Sequence, residues 1–468
     1  MPEASSHSAG TARLPLLIYV LAAGVFLMGT TEFIVAGILP EIATDIGVGV
    51  ADAGLMITVF AVGMIVGTPL MAIATLKLQR RLALSLSLLV FALGHVVVAL
   101  TSSFPLILTM RFVTALATGA FWAVAAVVAA KAVGPRLSSR ALGIVLGGGM
   151  LANVVGVPLG ALAGQAIGWR GPFWALAVLA LIAVVPILKQ VPVEPAGGPV
   201  PSVKAELAGL RDLRVWLVLA GAAIVCGSSL AAYSFISPLL TENTGMAASA
   251  VPLVLLAYGV GALIGSNLGG RLGTRRPYSV LFTSATATFF VLVALALFSH
   301  SPTATVVLVF LLGLFGMSTN PILIGKAVGY ADEAPTLASA LSTSAFNVGT
   351  AVGSWIAGFA LESPLGEAGP VVVGAAIAAL YFLPLSVLFV RDRRAERPLP
   401  TPARPEAEPA ARPTPDCQAP RPDAGPALGD QSPCPAARGG RMFSFLALCL
   451  SSSAGGRSTR RLLPWCSR

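Results

Sequence analysis

Charge is scarce in this chain of 468 residues: only 11% of positions are Asp, Glu, Lys or Arg, and acidic residues number 20 against 30 basic ones. With 56% hydrophobic residues and a mean hydropathy of +0.85, that scarcity excludes an ordinary water-soluble globular chain. Cysteine is rarer still. Of the five, Cys226 alone lies in the apolar core region, while Cys417, Cys434, Cys449 and Cys466 sit near the C-terminus. That distribution offers neither a disulfide framework nor a metal cluster. The three histidines, His7, His95 and His300, have no clustered acids around them, so a catalytic constellation is lacking and no enzyme is expected. No cofactor or metal is implied. The net charge of +10 raises the question of nucleic acid, but its basic residues are spread over short segments beside apolar runs, which excludes that partner.

What is present is a succession of long apolar runs. A helix needs roughly 20 such residues to cross the hydrocarbon core of a bilayer. The runs predict spans near 14–38, 52–74, 82–100, 105–131, 141–166, 172–189, 214–240, 249–270, 279–299, 303–326, 337–361 and 370–390. Continuous runs of this length are helical, because a helix satisfies its own backbone polar groups in lipid. The first is too long for a cleaved signal peptide and lacks a small-x-small site before Pro40-Glu41.

Basic residues flank only every second gap. Lys77, Arg80 and Arg81 follow span 2; Lys131, Arg136 and Arg140 follow span 4. Lys189, Lys204, Arg211 and Arg214 lie between spans 6 and 7, Arg271, Arg275 and Arg276 after span 8, and Lys326 after span 10. Arg13 precedes the first span, and Arg391, Arg393, Arg394 and Arg397 follow the last. The alternate gaps hold Arg170 alone, beside Glu41, Asp45, Asp52, Glu242, Glu362 and Glu367. The positive-inside rule therefore predicts a multi-pass protein of the cell membrane with both termini in the cytoplasm.

Residues 190–213 form a polar linker that divides the chain into a first half, 14–189, and a second half, 214–391. The halves echo one another. Gly63-x-x-x-Gly67 in span 2 answers Gly261-x-x-x-Gly265 in span 8, and each leads into a basic turn. Asn153-Val-Val-Gly, followed by Ala163-Gly164, answers Asn347-Val-Gly and Ala357-Gly358. Small residues at helical spacing allow close helix contact, and internal repeats build many transporters. The expectation is an all-α membrane protein of twelve spans in two pseudo-symmetric six-helix halves. A cytoplasmic segment, 1–13, precedes them, and a disordered cytoplasmic tail, 392–468, rich in Pro, Ala and Arg, follows.

An ionisable group inside a bilayer is a functional candidate because its charge is costly there. Glu32 in Gly29-Thr-Thr-Glu-Phe33 is the one acid outside the loops, linker and tails, and Arg111 near the start of span 4 is its basic counterpart. A buried carboxylate near a cation suits proton exchange. Asn153, Asn320 and Asn347, with Trp122 and Tyr233, are candidates to line a cavity; Asn267, Phe33, Phe121, Phe235 and Tyr258 are weaker ones. His95 reads as a packing residue. Span 5 carries Gly147-Gly-Gly149 and then Gly156-Val-Pro-Leu-Gly160, where proline bends a helix and glycine permits close approach. Span 11 has Val352 at the matching place, so the bend is expected in one half only.

Over roughly residues 14–392 these features resemble the major facilitator superfamily, in its twelve-span drug:proton antiporter group. The turn between spans 2 and 3 keeps Arg80-Arg81 of the family's pattern, with Lys77 at its first arginine and Leu76 at its aspartate; the second copy, Gly270-Arg-Leu-Gly-Thr-Arg275, has Thr274 there. Arg80, Arg81 and Arg275 are thereby implied in gating. The string Arg111-Phe-Val-Thr-Ala with Gly119 implies proton coupling for Arg111, and Gly156, Pro158 and Gly160 match the exporter motif. Gly37-Ile-Leu-Pro40, Phe60-Ala-Val-Gly-Met64, Gly67-Thr-Pro-Leu-Met-Ala72 and Gly168-Trp-Arg-Gly-Pro-Phe-Trp174 are similar to strings in actinobacterial chloramphenicol exporters and in arabinose-type sugar efflux permeases. The resemblance implies a monomeric, proton-driven exporter of a small apolar antibiotic, chloramphenicol first, with sugar efflux as the alternative.

Overall fold

A computed structural model of the chain describes residues 14–74, 78–133, 137–192, 212–331 and 335–395. Twelve helices are long and apolar enough to cross a membrane: Leu16–Gly37, Val50–Met71, Arg80–Leu100, Phe104–Val133, Arg140–Ile167 and Arg170–Gln190, then Leu213–Ser234, Ala248–Arg275, Pro277–Phe298, Pro302–Tyr330, Leu337–Leu361 and Gly366–Arg394. They are spans 1 to 12 below. The apolar runs of the sequence thus become helices with shifts of a few residues. Among the described residues no strand occurs. The expected segment 1–13, the linker from 193 to 211 and the tail beyond 395 lie outside the described residues, as do Leu76 and Lys77.

Glycine sets the helix pairing, and it does so twice. A Cβ on Gly63 would stand 2.6 Å from that of Ala115, which seats span 2 on span 4. In the second half a Cβ on Gly265 would stand 1.9 Å from the Leu314 carbonyl oxygen, seating span 8 on span 10 in the same manner. The amides correspond as well. Asn153 Nδ2 donates to the Gly149 carbonyl at 3.5 Å and Asn347 Nδ2 to the Thr343 carbonyl at 3.0 Å, each one turn back on its own helix. Span 5 contains a π turn, Ala152–Gly156, directly before Pro158, whose ring has no N–H to give the preceding turn. Span 11 belongs to one uninterrupted helix, Pro335–Leu361, as the lack of proline in its interior predicts.

The buried apolar side chains fall into three main groups. At the end that carries the basic gaps, called the inner end below, one group belongs wholly to the first half (Leu21, Phe91 and Phe121 among them) and another wholly to the second (Leu219, Leu281 and Tyr381 among them). At the opposite end, called the outer end, a single group joins both halves, from Ile34 and Ile57 to Phe235 and Leu255. The halves thus share one apolar core at the outer end and keep separate ones at the inner end, where Ser344 of span 11 still donates to the Ile65 carbonyl of span 2 at 3.2 Å. The outer seam closes because small residues admit large ones: the Phe235 ring lies where a Cβ on Gly54 would be, 2.5 Å from it, and Leu255 reaches Gly37. Gln165 adds a hydrogen bond to the Ala248 carbonyl at 2.8 Å, and Thr58 and Ser354 bond at 2.9 Å. Gly54→Leu is expected to prise this seam apart. In a background with the four tail cysteines changed to serine, Cys226, now 7% exposed, should then react with an impermeant maleimide added outside whole cells; unchanged labelling would argue against the seam.

Two charged residues depart from the sequence expectation for physical reasons. Arg170, the lone cation of the outer gaps, forms an ion pair with Asp45 and stacks over Trp169 at 4.3 Å, while the Trp169 indole N–H donates to the same carboxylate. Those two donors, Arg170 foremost, hold the Asp45 carboxyl below the usual carboxylate range. Asp392 was expected to begin the tail; instead the last helix runs from Phe382 to Ala395. Lys326 Nζ reaches the Asp392 carboxylate at 3.0 Å, Tyr278 and Tyr330 donate their hydroxyls to it, and Arg214 stands 3.9 Å away. These partners come from spans 7, 9 and 10 and carry the helix past residue 391.

Candidate substrate and proton site

Neighbouring residues of span 1 face different elements, because each helical step turns a side chain by about 100°. Thr30 points at span 5, where a Cβ on Gly156 would stand 2.1 Å from its hydroxyl oxygen. Thr31, wholly buried, points into the first half toward spans 3 and 4. Glu32 follows, half-buried, and Phe33 meets Tyr233 of span 7 edge to face at 6.3 Å between centroids. Gly160 admits Ile34 in the same manner as Gly156 admits Thr30. The glycines of the span 5 motif thus let span 1 lie close against span 5 on either side of Glu32.

Arg111 is 1% exposed, and a cation buried so deeply must find hydrogen-bond acceptors. Its Nη1 donates to the Thr31 carbonyl at 3.0 Å and the Thr31 hydroxyl at 2.9 Å, and its Nε donates to the Met56 carbonyl at 3.3 Å. The guanidinium also lies 4.3 Å from the centre of the Phe60 ring, a cation–π contact. Its Nη2 is buried without a partner. Glu32, whose basic counterpart in the sequence is Arg111, forms no ion pair with it among the described residues. Glu32 precedes Phe33, whose ring meets Tyr233 of the second half, so this stretch of span 1 borders the other half. Cys226 contacts the Thr350 hydroxyl of span 11 at 3.6 Å, and Asn347 lies one turn from Thr350. Tyr233 stacks at 4.2 Å on Tyr258 of span 8.

Glu32 thus joins no ion pair among the described residues and precedes Ile34, where the core shared by both halves begins. The sequence profile of the Major Facilitator Superfamily matches the chain twice, over residues 21–233 and 217–456. The chain belongs to that superfamily. It is similar to a chloramphenicol resistance protein of Streptomyces lividans, 38% identical over 375 residues, covering 79% of this chain and 95% of the relative. A probable sugar efflux transporter of Mannheimia succiniciproducens is 30% identical over 383 residues, covering 81% and 94% respectively. Among solved structures, an inward-facing, unoccupied bacterial homologue of the human lysosomal transporter Spinster superposes with a TM-score of 0.66 at 17% identity, over 81% of this chain and 98% of that one. The protein is a multi-pass membrane transporter of the major facilitator fold.

Within this major facilitator protein the remaining candidates occupy separate places. Trp122 packs on Gly149 in the first half, its indole N–H buried and unpartnered. The backbone of Asn153 meets Gly259 of span 8, where a Cβ would stand 2.4 Å from the Asn153 carbonyl oxygen. Asn320 sits where span 10 breaks after Ser318; its amide contacts Met317 and its Oδ1 is an orphan, as is Oδ1 of Asn347. The hydroxyls of Tyr233 and Tyr258 are also buried without partners. Buried polar groups are nearly always hydrogen-bonded, so orphans near the seam mark places for water or a ligand. Asn267 is exposed and bonds its own helix, away from the seam. Arg80 and Arg81 open span 3 and Arg275 ends span 8 in an exposed position; they lie at the inner end, far along the chain from the seam. Thr31 and Met56 escape a reading by charge, since a threonine hydroxyl and a backbone carbonyl carry no signal in a single sequence.

Proposed function

We propose that this transporter exports a small, mostly apolar antibiotic in exchange for protons, with chloramphenicol the first substrate to test. The observation that carries the proposal is Glu32, half-buried in an apolar span and joined to no ion pair among the described residues, next in sequence to Thr31, which the buried Arg111 guanidinium bonds. Drug entering from the inner side meets Glu32 and displaces its proton. Rocking of the halves then exposes the site outward, where higher proton activity reloads the carboxylate and releases the drug. The proton gradient is the driving force; no cofactor takes part. The basic gaps support placing the inner end and both termini in the cytoplasm of a plasma-membrane protein, and the two fused halves suit a monomer. The Gly156-Pro158-Gly160 segment favours export over import.

Cells expressing the protein are expected to accumulate less radiolabelled chloramphenicol than control cells, and an uncoupler should erase the difference. Equal accumulation in both would refute the proposal. Sugar efflux is the second reading, and the orphaned tyrosine hydroxyls and asparagine oxygens favour it, since a sugar site must replace lost hydroxyl–water bonds. Sensitivity of expressing cells to sugar analogues against antibiotics separates the two.

A further inference from the structure

We propose that His95 is the positioning residue for Arg111, acting as a fixed acceptor that orients the Thr31 hydroxyl; the proposal deepens the coupling role given to Arg111 above. His95 is 1% exposed and lies five residues before the end of span 3 at Leu100. Its Nδ1 lies 2.7 Å from the Phe91 carbonyl oxygen, and since a carbonyl only accepts, Nδ1 carries the hydrogen. Its Nε2 lies 2.7 Å from the Thr31 hydroxyl oxygen. That oxygen already accepts from Arg111 Nη1 at 2.9 Å, so its own hydrogen is available for Nε2. Every hydrogen is then assigned: Arg111 donates to Thr31, Thr31 donates to His95, and His95 donates to Phe91. A hydrogen on Nε2 would aim two cations at one hydroxyl and leave the hydroxyl's hydrogen without an acceptor. The imidazole is therefore neutral. Phe91 and Phe173 flank its ring, at 4.0 and 5.8 Å between centroids, and hold it in that pose.

The consequence reaches Glu32. Thr31 and Glu32 are consecutive, so an acceptor that pins the Thr31 side chain also fixes the rotation of span 1 and the separation of Arg111 from the carboxylate. Without Nε2 the hydroxyl hydrogen has no acceptor on span 3, and the guanidinium is left with a less firmly oriented acceptor beside the Thr31 and Met56 carbonyls.

The test is a set of variants in the full-length protein, each checked for membrane abundance. His95→Phe keeps an aromatic ring and removes the acceptor. His95→Gln restores an acceptor at the distance of Nε2, whereas His95→Asn reaches only the Phe91 carbonyl. Uncoupler-sensitive chloramphenicol export is expected to fall about tenfold in His95→Phe and His95→Asn, the order of one lost hydrogen bond to a charged network, and to recover in His95→Gln. Export at the wild-type rate in His95→Phe, or a Gln variant as poor as the Phe variant, would overturn the proposal. Thermal melting of purified Thr31→Val, His95→Phe and the double variant probes the relay independently of any substrate. A double variant no less stable than the worse single one supports it, and simple additivity contradicts it. If the protein moves no chloramphenicol, the function proposed above fails, while the melting cycle still shows whether Thr31 and His95 are coupled.

Discussion

Glu32→Gln is expected to reduce drug export to the background of cells lacking the protein, with normal abundance in the membrane. Glutamine has the same shape and can hydrogen-bond, but it cannot lose a proton. The carboxylate joins no ion pair among the described residues, so neutralising it breaks no such contact. The fold should therefore tolerate the change, and any loss of export reports on coupling. Downhill exchange of labelled for unlabelled drug is expected to survive in the variant, because exchange needs binding and rocking without net proton movement. Export assays in inverted vesicles, energised and not, separate the two behaviours.

Arg111→Lys is expected to lose at least about tenfold in energised export although the charge is kept. The guanidinium bonds the Met56 carbonyl through Nε and the Thr31 carbonyl and hydroxyl through Nη1, while its plane lies over Phe60. An ammonium is a compact donor on a flexible stem and cannot reproduce that planar fork. Buried acceptors left unpaired cost about 1–3 kcal/mol each, so the lysine variant should also melt at a lower temperature than wild type. A lysine variant with wild-type export and melting would show that only the charge matters at this position.

The architecture was legible because its causes are local. Spans follow from unbroken apolar length, and the repeat from glycine and asparagine at matching places, which pack in matching ways as Gly63 and Gly265 illustrate. The surroundings of span 1 about Glu32 were not legible. Thr30, Thr31 and Phe33 meet different elements, and the glycines of span 5 that let span 1 lie close lie more than a hundred residues on. His95 read as packing because a lone histidine on an apolar helix carries no sign of its partner, 64 residues away. Arg170 looked like an exception to the charge pattern until Asp45, 125 residues earlier, was found beside it. Asp392 in a string of arginines looked like the start of a tail, yet Lys326, 66 residues before it, makes it an anchor. Long-range pairing among rare charges is where the reading of one chain ends.

The sharpest check is proton release on drug binding. Purified full-length protein in unbuffered detergent solution, mixed with saturating chloramphenicol, should acidify the medium, and the Glu32→Gln protein should bind drug without doing so. Equal acidification by both proteins would place the exchanged proton on some other group and end the role assigned to Glu32.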